Sequence, residues 1–371
     1  MQTPPINDTE TFNRFKELID KLKTGKDKIL LIHDADGDGL SSGKILIESM
    51  QKLGIKIKFR FAAYDRTNLF GDFLLEFIDK NRITTIFTTD VGIYSTNFKD
   101  KKELLKDKTF VMFDHHEKPE VIDTNVLYFH PISTYGFNEP SQYCSSKLVY
   151  DIITNFVDIK ELNWVASIGI VADANHPTWG DFVDNTLKEL GLPIPESAFD
   201  SILQKVGTYL YYALAMDKEA ADKAVKSYFA AHSYEEALES LKGYEVVGKE
   251  IEYFLQNWKK YSEEQQDIIF ILIEPKYKVN SLVSSKISNL FPHQTILVGS
   301  MGKTENKMMS FSLRRQDGKV NLPGILHEMM KNLPNMVGGG HRPASGAKCK
   351  QDDYEKFKEM FVELHPRYKT N

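Results

Sequence analysis

Apolar positions along this chain recur with two spacings. Phe12, Phe15, Leu18, Ile19 and Leu22 fall at helical spacing and predict a helix over 9–23. Short apolar or alternating runs then predict strands at Lys28–Ile32, Lys56–Ala62, Ile83–Thr88, Thr109–Phe113 and Val126–Phe129. Between them lie helix-like stretches. One carries Ile45, Leu46, Met50 and Leu53, with Ser41 or Ser42 as its expected cap and Gly54 as its stop. Another covers Phe70–Asp79, and a short one holds Leu104 and Leu105. Strand and helix alternating over short connections predict a mostly parallel sheet with crossover helices.

Beyond residue 145 the pattern changes. Residues 145–157 and 161–172 read as buried helices, and 184–264 as almost continuous helix broken near Gly191–Pro195 and Gly243. From Asp267 the mixture returns, with strands at Ile268–Ile273 and Thr295–Gly299 around a helix at Leu282–Leu290. An alternating run at Lys307–Leu313, a helix at Leu322–Leu333 and an amphipathic helix at Asp352–Leu364 close the chain. The expected fold is α/β and bilobal. A first domain at 1–185 and a helical connector at 186–265 precede a smaller α/β domain at 266–371.

The polar residues that interrupt this pattern carry the chemistry. The run Leu30–Ile32 ends on His33, Asp34, Asp36 and Asp38, followed by a small-residue turn. Three carboxylates so close repel one another, and a divalent cation among them relieves the repulsion. Oxygen ligands with an imidazole suit Mn²⁺ or Mg²⁺, with Zn²⁺ as a further option. A solvated acidic turn would explain one such motif. Here Asp90, Asp114-His115-His116 and Asp173 also follow apolar runs. Ligands of parallel sheets sit beyond the carboxyl ends of the strands, so these scattered positions are expected to form one cluster.

The remaining bulk properties narrow the class. With 371 residues, 42% of them hydrophobic and 27% charged, the chain reads as an ordinary globular protein. No apolar run approaches the roughly 20 residues of a membrane span, and MQTPPINDTETF lacks the pattern of a signal peptide. Cys144 and Cys349 have no metal or redox spacing, which fits a reducing cytoplasm. The formal net charge of −5 is uneven: residues 266–371 hold 16 Lys+Arg against 10 Asp+Glu, and residues 1–265 hold 31 against 42. An acidic part able to hold metals and a basic part able to hold an anion is one reading of that split.

In the order HDADGDG, Asp90, Asp114-His115-His116, Asp173 and a late GGGH, the motifs resemble those of the DHH phosphoesterase superfamily. That superfamily includes RecJ-like exonucleases, nanoRNases and cyclic-dinucleotide phosphodiesterases. The resemblance implies two divalent ions, usually Mn²⁺. One would be held by His33, Asp36 and Asp90, the other by Asp38, Asp90, His115 and Asp173. Whether Asp34 or Asp38 partners Asp36 stays open; the pair Asp36 and Asp38 is preferred, with Asp34 an acceptor behind a ligand. Asp114 would orient the histidines and His116 would face the scissile phosphate. His130-Pro131 stands where relatives carry Asn-Pro.

Near the end, Gly338, Gly339 and Gly340 permit backbone conformations that can cradle phosphate, and His341 and Arg342 follow at once. Arg314 and Arg315 end a nearby run, and arginine matches phosphate oxygens in pairs. By resemblance His341 touches substrate phosphate, supported by Arg314 or Arg315 and Lys348. The implied function is metal-dependent hydrolysis of single-stranded nucleic acid or short oligonucleotides from an end. The alternatives are a phosphodiesterase or phosphatase for a cyclic dinucleotide, a linear dinucleotide or a 3′,5′-bisphosphate, and an inactive scaffold in replication or repair. A homodimer or a replication or repair partner would fit either activity.

Overall fold

The computed structural model describes residues 4–301 and 307–370. The chain forms two compact units: the first runs to Leu214 and adds Lys218–Lys242, and the second is Ala215–Asp217 with the chain from Gly243 onward. The stretch 186–265, expected as a connector, is thus divided between the units at 242/243.

In the first unit, helix α1 (Thr9–Leu22) precedes strand β1 (Ile29–His33) and helix α2 (Gly37–Lys52). Then come β2 (Phe59–Ala62), α3 (Asp72–Asn81), β3 (Thr85–Thr89), α4 (Phe98–Leu105), β4 (Thr109–Phe113) and β5 (Val126–Phe129). The five strands form one sheet in the order β2-β1-β3-β4-β5, and every pair is parallel. Strands β1, β3, β4 and β5 are buried, as expected where helices cover both faces, and edge strand β2 is half-buried. Phe15 of α1 packs its ring 5.1 Å from Phe129 and 5.9 Å from Phe113. Leu30, Ile32, Ile86, Phe110 and Met112 join a second core with Phe70, Leu74 and Phe98.

Helices α5 (Pro131–Tyr135), α6 (Ser145–Ile153), α7 (Asn163–Ala172), α8 (His176–Glu189), α9 (Ile202–Met216), α10 (Lys218–Ala230) and α11 (Tyr234–Leu241) follow. Helix α2 packs against α6 and α7. It starts one turn before the serines expected to cap it. Asp36 is the cap, and its Oδ1 accepts the N–H groups of Asp38 (3.1 Å) and Gly39 (2.9 Å). A carboxylate is as good a cap as a hydroxyl, and the glycines leave Ser41 and Ser42 inside the helix.

The second unit contains helix α12 (Glu245–Asn257), β6 (Ser262–Gln265), β7 (Ile268–Ile273), α13 (Asn280–Leu290), β8 (Thr295–Met301) and β9 (Met308–Arg314). Helix α14 (Leu322–Met330), β10 (Val337–His341), β11 (Ala344–Lys350) and α15 (Tyr354–Leu364) complete it. Its mixed sheet runs β10-β11-β9-β8-β7-β6, around a core that includes Phe270, Leu313, Ile325 and Phe357. No helix among the described residues is long and apolar enough to cross a membrane.

Candidate metal centre

The register of the parallel sheet builds the centre. His33 pairs across to Thr89, Thr89 to Phe113, and Phe113 to Phe129, so four strands end level. The next residue on each is therefore Asp34, Asp90, Asp114 and His130, in one row. The ladder continues into the row: Asp34 N–H donates to Thr89 O (3.2 Å), Asp90 N–H to Phe113 O (2.9 Å) and Asp114 N–H to Phe129 O (3.1 Å). In this strand order the connection reverses direction between β1 and β3, and that switch point is where such sheets bind ligands. Asp90 sits there with φ 60°, in the left-handed region that ordinary residues rarely occupy.

Three groups of ligand-type side chains converge among the described residues: Asp34, Asp36 and Asp90; Asp90, His115 and His116; and Asp38, His115 and Asp173. Asp90 and His115 are each shared by two groups. His115 Nε2 lies 3.4 Å from Asp90 Oδ1, and its Nδ1 lies 3.7 Å from Asp173 Oδ2. That Nδ1 is buried without a hydrogen-bond partner.

Helix starts hold the carboxylates. At the head of α6, Ser145 N–H donates to Asp38 Oδ2 (2.7 Å), Ser146 N–H to Asp38 Oδ1 (2.9 Å) and Ser145 Oγ to Asp90 Oδ1 (3.0 Å). Asn175 Nδ2 donates to Asp173 Oδ2 (2.8 Å), while its Oδ1 accepts Cys144 N–H (2.8 Å). Gly39 lets α2 pass Asp34 closely: a Cβ there would stand 2.5 Å from Asp34 Cβ.

The crowding shows in the acidities. Burial, then the charges of Asp38 and Asp36, holds the Asp90 carboxyl well above the usual range. Burial and Asp38 push Asp173 up to about 7. Asp114 goes the other way: burial works against ionisation, but the bond and charge of His116 outweigh it. His116 Nδ1–H donates to Asp114 Oδ1 (2.7 Å), a bond that raises the imidazole above its ordinary value.

His33, expected as a ligand, keeps its Nε2 buried and without a hydrogen-bond partner. As the last residue of β1 it is fully buried. Its ring centroid is 5.3 Å from that of Phe229, and its Nδ1–H donates to Asp34 O (2.6 Å). Burial lowers it to about 4, and it joins none of the three groups. Asp34, expected behind the ligands, is in one of them. Sequence reasoning also missed Arg66. Its guanidinium forks onto Asp34, with Nε 3.1 Å from Oδ1 and Nη2 on Oδ2, and its Nη1 stands 3.3 Å from His116 Nε2. The loop after β2 carries it there, and no spacing rule marks a lone arginine in a loop.

Tyr64, Tyr135 and His176 serve the fold. Tyr64 OH donates to Asp222 Oδ1 (2.8 Å), and Tyr135 stacks on Tyr143 with centroids 5.4 Å apart. His176 packs edge-on against Phe199.

In the second unit, Gly338–Gly340 are not in a loop. They lie in edge strand β10, paired antiparallel with β11. Only Gly340 takes positive φ (134°), where a Cβ would stand 2.6 Å from Ala344 O. His341 and Arg342 are exposed at the hairpin end. Arg314 lines a groove of about 850 Å³ with Lys276, Lys278, Ser281, Gly340 and Lys348, and no carboxylate among the described residues lines it. Its Nη2 donates to Ser281 Oγ (2.8 Å) and its Nε to Ser285 Oγ (3.0 Å). Arg315, expected to support a substrate, is buried at 2% exposure between Asp317 Oδ1 (2.8 Å) and Asp267 Oδ2 (2.9 Å). Adjacent residues at a strand end face opposite sides, so one arginine lines the groove and the other braces the fold.

With this geometry in place, comparison with known proteins bears on the family. Residues 28–172 match the DHH family N-terminal domain. Over those residues the chain carries a DHH-family domain. A Bacillus subtilis (strain 168) protein, the single-stranded-DNA-specific exonuclease RecJ, is 30% identical over 170 residues. That match spans 43% of this DHH chain but 21% of the relative. The crystal structure of exonuclease RecJ bound to manganese superposes with TM-score 0.76 at 17% identity, over 99% of this chain and 97% of that one. RecJ from Thermus thermophilus in complex with Mn²⁺ gives TM-score 0.69 at 16% identity, over 96% of this chain and 55% of that one. The fold of this DHH protein is RecJ-like.

Proposed function

We propose that this chain is a metal-dependent phosphodiesterase that hydrolyses single-stranded nucleic acid or short oligonucleotides from an end. The observation that carries this reading is the level row of Asp34, Asp90 and Asp114, joined by Asp38, His115 and Asp173. The donors fit hard divalent ions, Mn²⁺ first and Mg²⁺ second. They are oxygen-rich with one shared imidazole, their carboxylates raise one another's pKa, and they include a buried Nδ1 without a partner. Asp34, Asp36 and Asp90 would hold one ion, and Asp38, Asp90, His115 and Asp173 the other. Bound there, the ions supply charge neutralisation and Lewis acidity for phosphoryl transfer.

The chain's own residues do the rest. Ser145 and the head of α6 hold the Asp38 and Asp90 carboxyl groups in place. Asp114 orients His116 through Nδ1, leaving its Nε2 and the Arg66 guanidinium side by side to meet a phosphate oxygen. The cationic groove of the second unit, with Arg314, Lys348, Lys276 and Lys278, suits a polyanion, and we assign this unit as the substrate-binding domain. The exposed His341 and Arg342 extend it. The description of the Bacillus relative as specific for single-stranded DNA favours polynucleotide over small-nucleotide substrates.

The test compares a labelled oligonucleotide of about twenty nucleotides, a dinucleotide and a cyclic dinucleotide, with Mn²⁺ and after chelation. Metal-dependent release of mononucleotide from one end of the first two supports the reading. Cleavage of the cyclic dinucleotide alone would move the protein to the small-nucleotide class, and inertness toward all three would end it.

A further inference from the structure

His130 is the fourth residue of the row, beside Asp114, and no ligand group includes it. It is fully buried, yet both ring nitrogens are engaged. Its Nε2–H donates to His116 O at 2.8 Å, and its Nδ1 accepts Ile132 N–H at 3.3 Å, capping α5. The partners set the tautomer: a carbonyl demands a hydrogen on Nε2, and an N–H demands a lone pair on Nδ1. Two residues earlier on the same strand, Tyr128 OH reaches Asp114 Oδ2 (3.5 Å). Residues 114–125 contain neither helix nor strand, so this segment needs fixing from outside. His116 is fixed twice, at the ring by Asp114 and at the carbonyl by His130.

We infer that His130 is a positioning residue, whose Nε2–H holds the His116 carbonyl and so fixes the direction in which His116 presents the Nε2 edge of its ring. This rests on the phosphodiesterase reading, but its geometry can be tested without turnover. Two substitutions separate the two bonds. In His130→Gln the amide nitrogen reaches about as far as Nε2 and can keep the bond to His116 O, while the cap is lost. In His130→Asn the short amide oxygen keeps the cap, a position asparagine favours, and the tie is lost.

The expected outcome is that both variants lose thermal stability to a similar extent. His130→Asn lowers kcat by about tenfold or more with KM within about twofold, and His130→Gln stays within about threefold of the parent. In metal-free protein, deuterium uptake over residues 114–120 rises in His130→Asn and stays parental in His130→Gln. Equal behaviour of the two variants, or unchanged uptake in His130→Asn, would overturn the inference. If the parent cleaves no oligonucleotide, the proposed function fails by itself, and the exchange measurement still decides whether His130 holds the segment.

Discussion

Ser145 N–H stands 2.7 Å from Asp38 Oδ2, so the head of α6 grips a carboxylate that lies 107 residues earlier in the chain. The N–H groups of a first helical turn have no partners inside the helix, and their dipole favours negative charge. Helix α6 thereby closes the centre from the side that the sheet leaves open. The closure depends on α7 passing very near.

Gly169 of α7 makes that approach possible, since a Cβ there would fall 2.6 Å from Ser146 Cβ and 2.8 Å from Asp38 Oδ1. Gly169→Ala is expected to cost about 1–3 kcal/mol of stability through overpacking. It should also weaken Mn²⁺ binding by about tenfold or more. Urea denaturation and calorimetric titration measure the two effects, and unchanged metal affinity would show that Asp38 tolerates displacement.

Asp90 is shared by two ligand groups, and burial among like charges penalises its ionised form. In metal-free protein, Asp90→Asn should therefore raise the thermal midpoint, because the amide removes a group whose ionisation the fold suppresses and the unfolded chain allows. In the parent, Mn²⁺ at about a hundred times its Kd should add about 2.7 kcal/mol. That increment should largely vanish in the variant along with hydrolysis. A variant that kept the full Mn²⁺ increment would remove Asp90 from the ligand set.

Arg314 and Arg315 should separate by what they break. Arg315→Met leaves Asp267 and Asp317 without their buried cation, an expected loss of about 3–5 kcal/mol with oligonucleotide affinity unchanged in the folded fraction. Arg314→Met should leave the unfolding midpoint nearly in place and weaken oligonucleotide binding by about tenfold. Fluorescence anisotropy alongside denaturation tests the pair, and a reversal of the two profiles would contradict the placement.

His365 gives the second unit an acid sensitivity. Burial lowers its imidazole to about 4, against the nearby Asp267 carboxylate, and Thr295 Oγ1 lies 2.8 Å from its Nε2. The unfolded chain takes up that proton near the ordinary value of about 6.5, so between the two values the unfolded state binds more protons. Stability is then full above the upper value and falls as pH drops toward the lower. The Asp267 carboxyl, held below its usual range by its Lys369 and Arg315 bonds despite burial, adds loss at still lower pH. Thermal midpoints recorded across this window should fall, and His365→Gln should flatten the fall. A parental slope in His365→Gln would assign the sensitivity elsewhere.

Alternating apolar periods were enough to place the five parallel strands, because strand and helix spacing are local and burial enforces them. They also put Asp90 and Asp114 immediately beyond strand ends, and the parallel register does bring those ends level. The spacing 34, 36, 38 could not rank its three carboxylates. It straddles the change from strand to helix, where each residue's direction depends on the turn: Asp36 becomes a cap, Asp34 faces Arg66, and Asp38 meets α6. His33 turned inward because a strand's last side chain follows the pleat toward whatever packs there, here Phe229. Arg66, Asn175 and the support from His130 join residues tens of positions apart or depend on a single hydrogen bond, and no periodicity records either. Sequence alone determined which chemical groups would be available and at which end of the sheet. Only tertiary packing decided which of them meet, because side-chain direction is set by neighbours the chain supplies from far away.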